Sequence, residues 1–290
     1  MPEALQALSD GASVLLRRQG NPAGMRILVS HGTGFAVDGF RRMWEPLCVN
    51  FDVITFDLRH HGRNLACDPA SINAERQNAD MREVLVGTHE QFGIKQTFGL
   101  FHSISALAAL RVETRAPGSF AGLVLIEPPA PPPAGHPLEA TFEEGRLALA
   151  ARSARRQERF ESIAELASKY AGREPFSLFE EGAGEELARS ILVQDGVGWR
   201  LACSPDAESR YYTTNFDDGL FDRADAVGCR VLMLAGRNDL TLPGTPAQLA
   251  GDLAQRGGYD YLELADATHM MPLERPGAIA AMTNAFIASV

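Results

Sequence analysis

Between Val14 and Ile126 the chain alternates short apolar runs with longer helical patterns, and that alternation limits the fold more than any other feature. Val14–Arg17, Arg26–Ser30, Phe51–Phe56, Thr97–Phe101 and Leu123–Ile126 have the length and character of strands. Phe40–Leu47, Ile72–Phe92 and Ser105–Thr114 lie among them with helical spacing. Apolar strands joined through helices build a mostly parallel sheet covered on both faces. The rhythm stops at the proline-rich stretch Pro128 to Pro137. From Leu138 to about Asp225 the chain is rich in Ala, Glu and Arg, with few strand-like runs. It resumes with a strand at Arg230–Leu234, a helix at Thr245–Arg256, a strand at Tyr259–Leu264 and a last helix at Gly277–Ala288. The expected organisation is an α/β core from residues 1–130 and 226–290, with a helical insertion at 131–225.

Charge and composition narrow the function classes. A net charge of −10 repels phosphate backbones, so nucleic acid is not expected as a partner. Arg152, Arg155, Arg156 and Arg159 lie among acidic residues and read as a solvated helix face. No stretch approaches the roughly 20 apolar residues that span a bilayer, and Met1 to Asp10 has no signal-peptide pattern. Cys48, Cys67, Cys203 and Cys229 are far apart and form no CxxC pair, which fits reduced thiols in a cytoplasmic protein. The seven histidines show neither HxxxH nor HExxH spacing, so no metal is expected. The glycine-bearing loop at His31 lacks both GxGxxG and a P-loop ending, which argues against nucleotide binding.

Three residues with chemistry follow strands, where sites in open α/β sheets form. Ser103 stands between a strand and a helix, so a sharp turn there would project its hydroxyl and bring the Ile104 N–H to a helix N-terminus. Asp239 follows the strand of Arg230–Leu234, and His269 lies in the loop after the last strand. Singly, each has an ordinary structural reading: helix cap, turn residue, exposed loop histidine. Together they have the order Ser, Asp, His of a hydrolase triad.

In that order, and in three further segments, the chain resembles the α/β-hydrolases that carry a helical cap. His31-Gly-Thr-Gly-Phe is similar to the family's glycine-bearing loop, which implies an oxyanion amide at Thr33 or Gly34. Phe56-Asp-Leu-Arg-His-His-Gly-Arg-Asn resembles the family's Asp-x-Arg-Gly-His-Gly-x-Ser segment, and Ala267-Thr-His-Met-Met-Pro-Leu-Glu-Arg-Pro its histidine loop. The resemblance implies acyl transfer to water without cofactor. Ser103 is the nucleophile, His269 the base, Asp239 the orienting acid, and Ile104 with Thr33 or Gly34 the oxyanion donors. Glu127, at the end of the preceding apolar strand, is the rival acid. Asp239 is preferred because Gly236-Arg-Asn-Asp239 is the better family match and two prolines follow Glu127. His102 reads as a packing residue, and His60 and His61 as loop supports.

The expected substrate is an ester or lactone of a small organic acid; the same triad also serves amide or carbon–carbon bond hydrolysis, or a binding protein with little turnover. Phe176, Phe179, Trp199, Tyr211, Tyr212 and Phe216 either line the pocket or, for most of them, pack the insertion. One departure stands out: the family's Gly-x-Ser-x-Gly reads Phe101-His-Ser103-Ile-Ser105. Room for the Phe101 ring is expected from Ala106, Ala108 and Ala109 on the following helix.

Overall fold

The computed structural model describes residues 2–64, 67–171, 176–214, 219–237 and 246–290. Its strands are β1 (Glu3–Ala7), β2 (Ser13–Gly20), β3 (Arg26–Ser30), β4 (Asp52–Phe56), β5 (Thr97–His102), β6 (Gly122–Ile126), β7 (Arg159–Phe160), β8 (Leu192–Asp195), β9 (Gly198–Leu201), β10 (Arg230–Gly236) and β11 (Asp260–Leu264). Its helices are α1 (Arg41–Trp44), α2 (Ala74–Phe92), α3 (Ile104–Arg115), α4 (Glu139–Ala154), α5 (Ile163–Ser168), α6 (Ala183–Ile191), α7 (Pro205–Thr213), α8 (Pro246–Gly257), α9 (Met271–Glu274) and α10 (Pro276–Ala288).

Eight strands form one sheet in the order β1-β2-β4-β3-β5-β6-β10-β11. The pairs of β2 with β1 and β4 are antiparallel, and all others are parallel. Every residue of β3, β4, β5 and β6 is buried, which is why their sequences lack the alternation of a half-exposed strand. One face of the sheet packs Leu28, Phe56, Phe101, Leu123 and Met233 against residues of α2, α3 and α8. The other packs Ile27, Val29, Leu100, Ile126 and Leu234 against residues of α1 and α10. At the end of the sheet away from the site, the buried Arg26 guanidinium donates to Asp52, Phe92 O and Gly93 O, which leaves neither charge unpaired.

The insertion, expected to be helical with few strands, holds both helices and strands. Between β6 and β10 lie α4 to α7 and a separate antiparallel sheet in the order β7-β9-β8. These strands have two to four residues, too few to show a period. The segment read as a helix over Phe40–Leu47 is α1 flanked by 3₁₀ turns at Val37–Phe40 and Glu45–Val49. All four cysteines are free. Among the described residues no helix is long and apolar enough to cross a membrane, and no cluster could hold a metal ion.

Candidate active site

β3 and β5 lie side by side although the chain leaves them for opposite halves of the sheet, so a crevice opens at their carboxyl ends. The loop after β3 carries His31 to Gly34, and the turn after β5 carries Ser103. Ser103 has φ 56° and ψ −122°, a conformation that non-glycine residues avoid. Its surroundings hold it there. The Ser103 N–H donates to Ile126 O at 2.8 Å, and its carbonyl accepts the Leu107 N–H at 3.0 Å. Ser105 closes the turn from inside: its hydroxyl donates to His102 O at 2.9 Å and accepts the His102 N–H at 3.2 Å. A side chain at Gly32 would approach Ser103 Cβ to 2.9 Å, so only glycine lets the β3 loop pass so close.

Phe101 packs in the core beside this turn. Its ring is fully buried, edge-on to Phe56 and Phe120 at centroid distances of 6.4 and 5.8 Å. The room comes first from its own strand. Gly99, two residues earlier and on the same face, lies against the ring, and a Cβ there would collide with it. The alanines Ala106, Ala108 and Ala109 belong to the same core cluster.

His269 Nδ1 donates to Glu127 Oε2 at 2.7 Å. The other carboxylate oxygen accepts the Gly236 N–H at 2.6 Å, and the Glu127 side chain is fully buried. Glu127 also has a positive φ, 41°, directly after β6. The sequence reading gives this contact to Asp239, which lies outside the described residues; among the described residues it is made by Glu127. The cause is strand adjacency. β6 and β10 are neighbours, so the end of either faces the loop after β11. With Nδ1–H given to Glu127, the lone pair of His269 is left on Nε2, the form a base needs.

The histidine loop is fixed from three sides. His102 Nε2 donates to His269 O at 2.9 Å, and the Arg237 N–H donates to Ala267 O at 3.0 Å. The buried Glu274 accepts from the Thr268 N–H at 2.7 Å and hydroxyl at 2.6 Å; burial pushes its carboxyl above the usual range. His102 is wholly buried, and burial with His269 beside it holds its imidazole neutral, as expected of a packing residue.

Ser103, His269, Ile104 and Thr33 line one cavity of about 340 Å³. Ile104 opens α3, where the N–H has no intrahelical acceptor. Of the two alternatives after β3, the Gly34 N–H donates to His61 Nε2 at 2.9 Å and is already committed, which leaves Thr33. His61 in turn donates Nδ1–H to Arg59 O at 2.8 Å, the loop support expected of it. The remaining lining is largely apolar, including Phe35, Phe142, Leu149, Leu249 and Met270. Of the aromatic residues named from the sequence, Tyr211 and Tyr212 line the cavity, whereas Phe176, Phe179 and Trp199 pack in the other core cluster. Phe216 lies outside the described residues. The basic cluster is not one solvated face. Arg156 pairs with the buried Glu208 at 2.7 Å, Arg159 pairs with Asp195, and Arg152 lines the cavity.

Residues 27–282 match the model of the alpha/beta hydrolase family. No curated protein matches the sequence. Among solved structures, E-2-(acetamidomethylene)succinate hydrolase is similar at 21% identity and TM-score 0.78, covering 98% of each chain. The enol-lactonase from Burkholderia xenovorans has 19% identity and TM-score 0.73, covering 99% of this chain and 100% of its own. An esterase from a Rhodococcus species has 18% identity and TM-score 0.75, covering 100% and 99%. The family match spans most of the length, and the parallel sheet with its turn at Ser103 agrees with it: the chain belongs to the alpha/beta hydrolase family.

Proposed function

We propose that the chain is a serine hydrolase that cleaves a carboxylic ester or lactone of a small organic substrate. Ser103 Oγ attacks the carbonyl carbon while His269 Nε2 takes its proton. Glu127 holds the Nδ1–H and stabilises the imidazolium that forms. The Ile104 and Thr33 amides receive the developing oxyanion. The tetrahedral intermediate collapses, His269 protonates the departing oxygen, and an acyl-Ser103 ester remains. Water attacks that ester with His269 again as base, and the acid leaves.

The observation that carries this reading is the conjunction at one cavity: a strained serine at a strand–helix turn, and a histidine whose outer nitrogen is held by a buried carboxylate. The elements between β6 and β10 act as a cap, with α4 and α7 roofing an apolar acyl pocket. A fluorophosphonate probe tests the proposal. Wild type should label at Ser103 and hydrolyse short aryl esters; Ser103→Ala should do neither while keeping its fold by circular dichroism. Ester turnover by Ser103→Ala within tenfold of wild type would remove Ser103 from the mechanism.

A further inference from the structure

The cavity-facing stripe of α4 carries Thr141, Phe142, Gly145, Ala148, Leu149 and Arg152 at helical spacing. Two arginines, Arg146 and Arg152, belong to the lining, and among the described lining residues there is no carboxylate. The two cations differ in state. Arg146 is neutralised: it donates to both oxygens of Glu143 and to Tyr212 O at 2.8 Å. One turn beyond Arg152, Arg156 is held by Glu208. The Arg152 guanidinium has no hydrogen-bond or ion-pair partner among the described residues, although the chain as a whole carries a net charge of −10. Its charge reaches the Tyr212 phenol, which shares the lining. Arg152 is solvent-exposed as well as lining the cavity, which puts it at the mouth, where a ligand can displace water from it.

An unpaired cation on an apolar wall favours an occupant that brings the counter-charge. The planar fork of arginine suits a carboxylate, which it can bind through two parallel hydrogen bonds. We propose that Arg152 recognises a carboxylate carried by the substrate, so that the substrate class is an acidic ester or lactone, such as the half-ester of a dicarboxylic acid. This rests on the serine hydrolase reading above and adds the charge of the substrate to it. The reacting carbonyl sits at Ser103 and the free carboxylate at the mouth, so the spacing between the two groups is a selection rule.

The test compares kcat/KM for p-nitrophenyl butyrate with the p-nitrophenyl half-esters of glutarate and adipate, after subtraction of spontaneous hydrolysis. A second pair, 4-carboxyphenyl and 4-carbamoylphenyl butyrate, places the charge in the leaving group. In wild type one anionic ester should exceed its uncharged counterpart by about tenfold. Arg152→Gln should erase that ratio mainly through KM, and Arg152→Glu should invert it. Arg155→Gln changes an exposed arginine outside the cavity lining and should keep the ratio. A wild-type ratio of one or less in both pairs, or equal losses in Arg152→Gln and Arg155→Gln, overturns the proposal. If uncharged esters are still cleaved through Ser103 in that case, only the carboxylate inference falls. If no ester is cleaved and Ser103 does not label, both readings fall.

Discussion

At the residue scale, the contested choice was the acid. Sequence position offers two carboxylates after neighbouring strands, and either end lies beside the histidine loop. Glu127 meets His269 because its positive φ turns the chain at the end of β6 and the Gly236 amide holds its second oxygen. Gly236 is itself constrained, since a side chain there would lie 2.5 Å from Ala267 O. If Glu127 is the catalytic acid, Glu127→Gln should lower kcat by about 10³- to 10⁴-fold, because an amide favours the wrong imidazole tautomer. Asp239→Asn should cost no more than a few-fold. Steady-state kinetics on both variants checks this, and a larger loss in Asp239→Asn reverses the roles. The positions of Ser103 at a strand–helix turn and of His269 in the loop after the last strand were legible, because each follows a strand in an ordered series. The Glu127–His269 contact and the Gly34–His61 bond were not. Which carboxylate reaches an imidazole, and whether an amide is already spent on His61, are set by contacts between segments far apart in sequence.

At the scale of elements, the core strands were legible within a residue or two, because burial on both faces leaves continuous apolar runs. β1 was missed: it is an edge strand whose residues are all at least partly exposed, so no apolar run marks it. The short strands of the insertion were missed for want of length. β5 shows how a strand absorbs a departure from its family's pattern. The bulk of Phe101 fills the place that Gly99 leaves vacant, and Leu123 stands 2.7 Å from where a Gly99 Cβ would be. The expectation is that the turn at Ser103 is shaped by its own hydrogen bonds rather than by the ring. Phe101→Gly should cost about 3–5 kcal/mol of stability, as large-to-small core changes do, without raising kcat. Gly99→Ala should destabilise on its own, and less so in the Phe101→Gly background, where only the approach to Leu123 remains. Denaturant midpoints and kcat on the same preparations separate the cases. A faster Phe101→Gly enzyme of unchanged stability would mean that the ring strains the turn after all.

For the whole molecule, the site rests on imidazoles that must stay neutral. His31 donates Nδ1–H to Gly32 O at 2.7 Å and accepts the Leu58 N–H on Nε2 at 3.1 Å. His61 does the same between Arg59 O and the Gly34 N–H, and the two rings lie 5.1 Å apart. Protonating either Nε2 would break a backbone hydrogen bond and place a charge in a dry interior. Burial pushes His31 from 6.5 down to about 4, and His61 down to about 3. The unfolded chain binds protons at these residues near pH 6.5, whereas the folded chain does not until near pH 4. Stability from this source is therefore complete above about pH 6.5 and is lost as pH falls through that window, by roughly 3 kcal/mol for His31 alone at pH 4. Asp57, buried beside His31 and raised by that burial, offsets part of this only at the acid end, where it protonates. The urea midpoint should accordingly drop between pH 7 and 5, before ordinary carboxylates titrate. In the folded protein the His31 and His61 ring nitrogens should show no protonation by NMR down to pH 5. A midpoint that is flat over that range, or imidazole resonances that titrate near pH 6.5 in the native state, would mean that these histidines admit charge and that the loops they tie tolerate it.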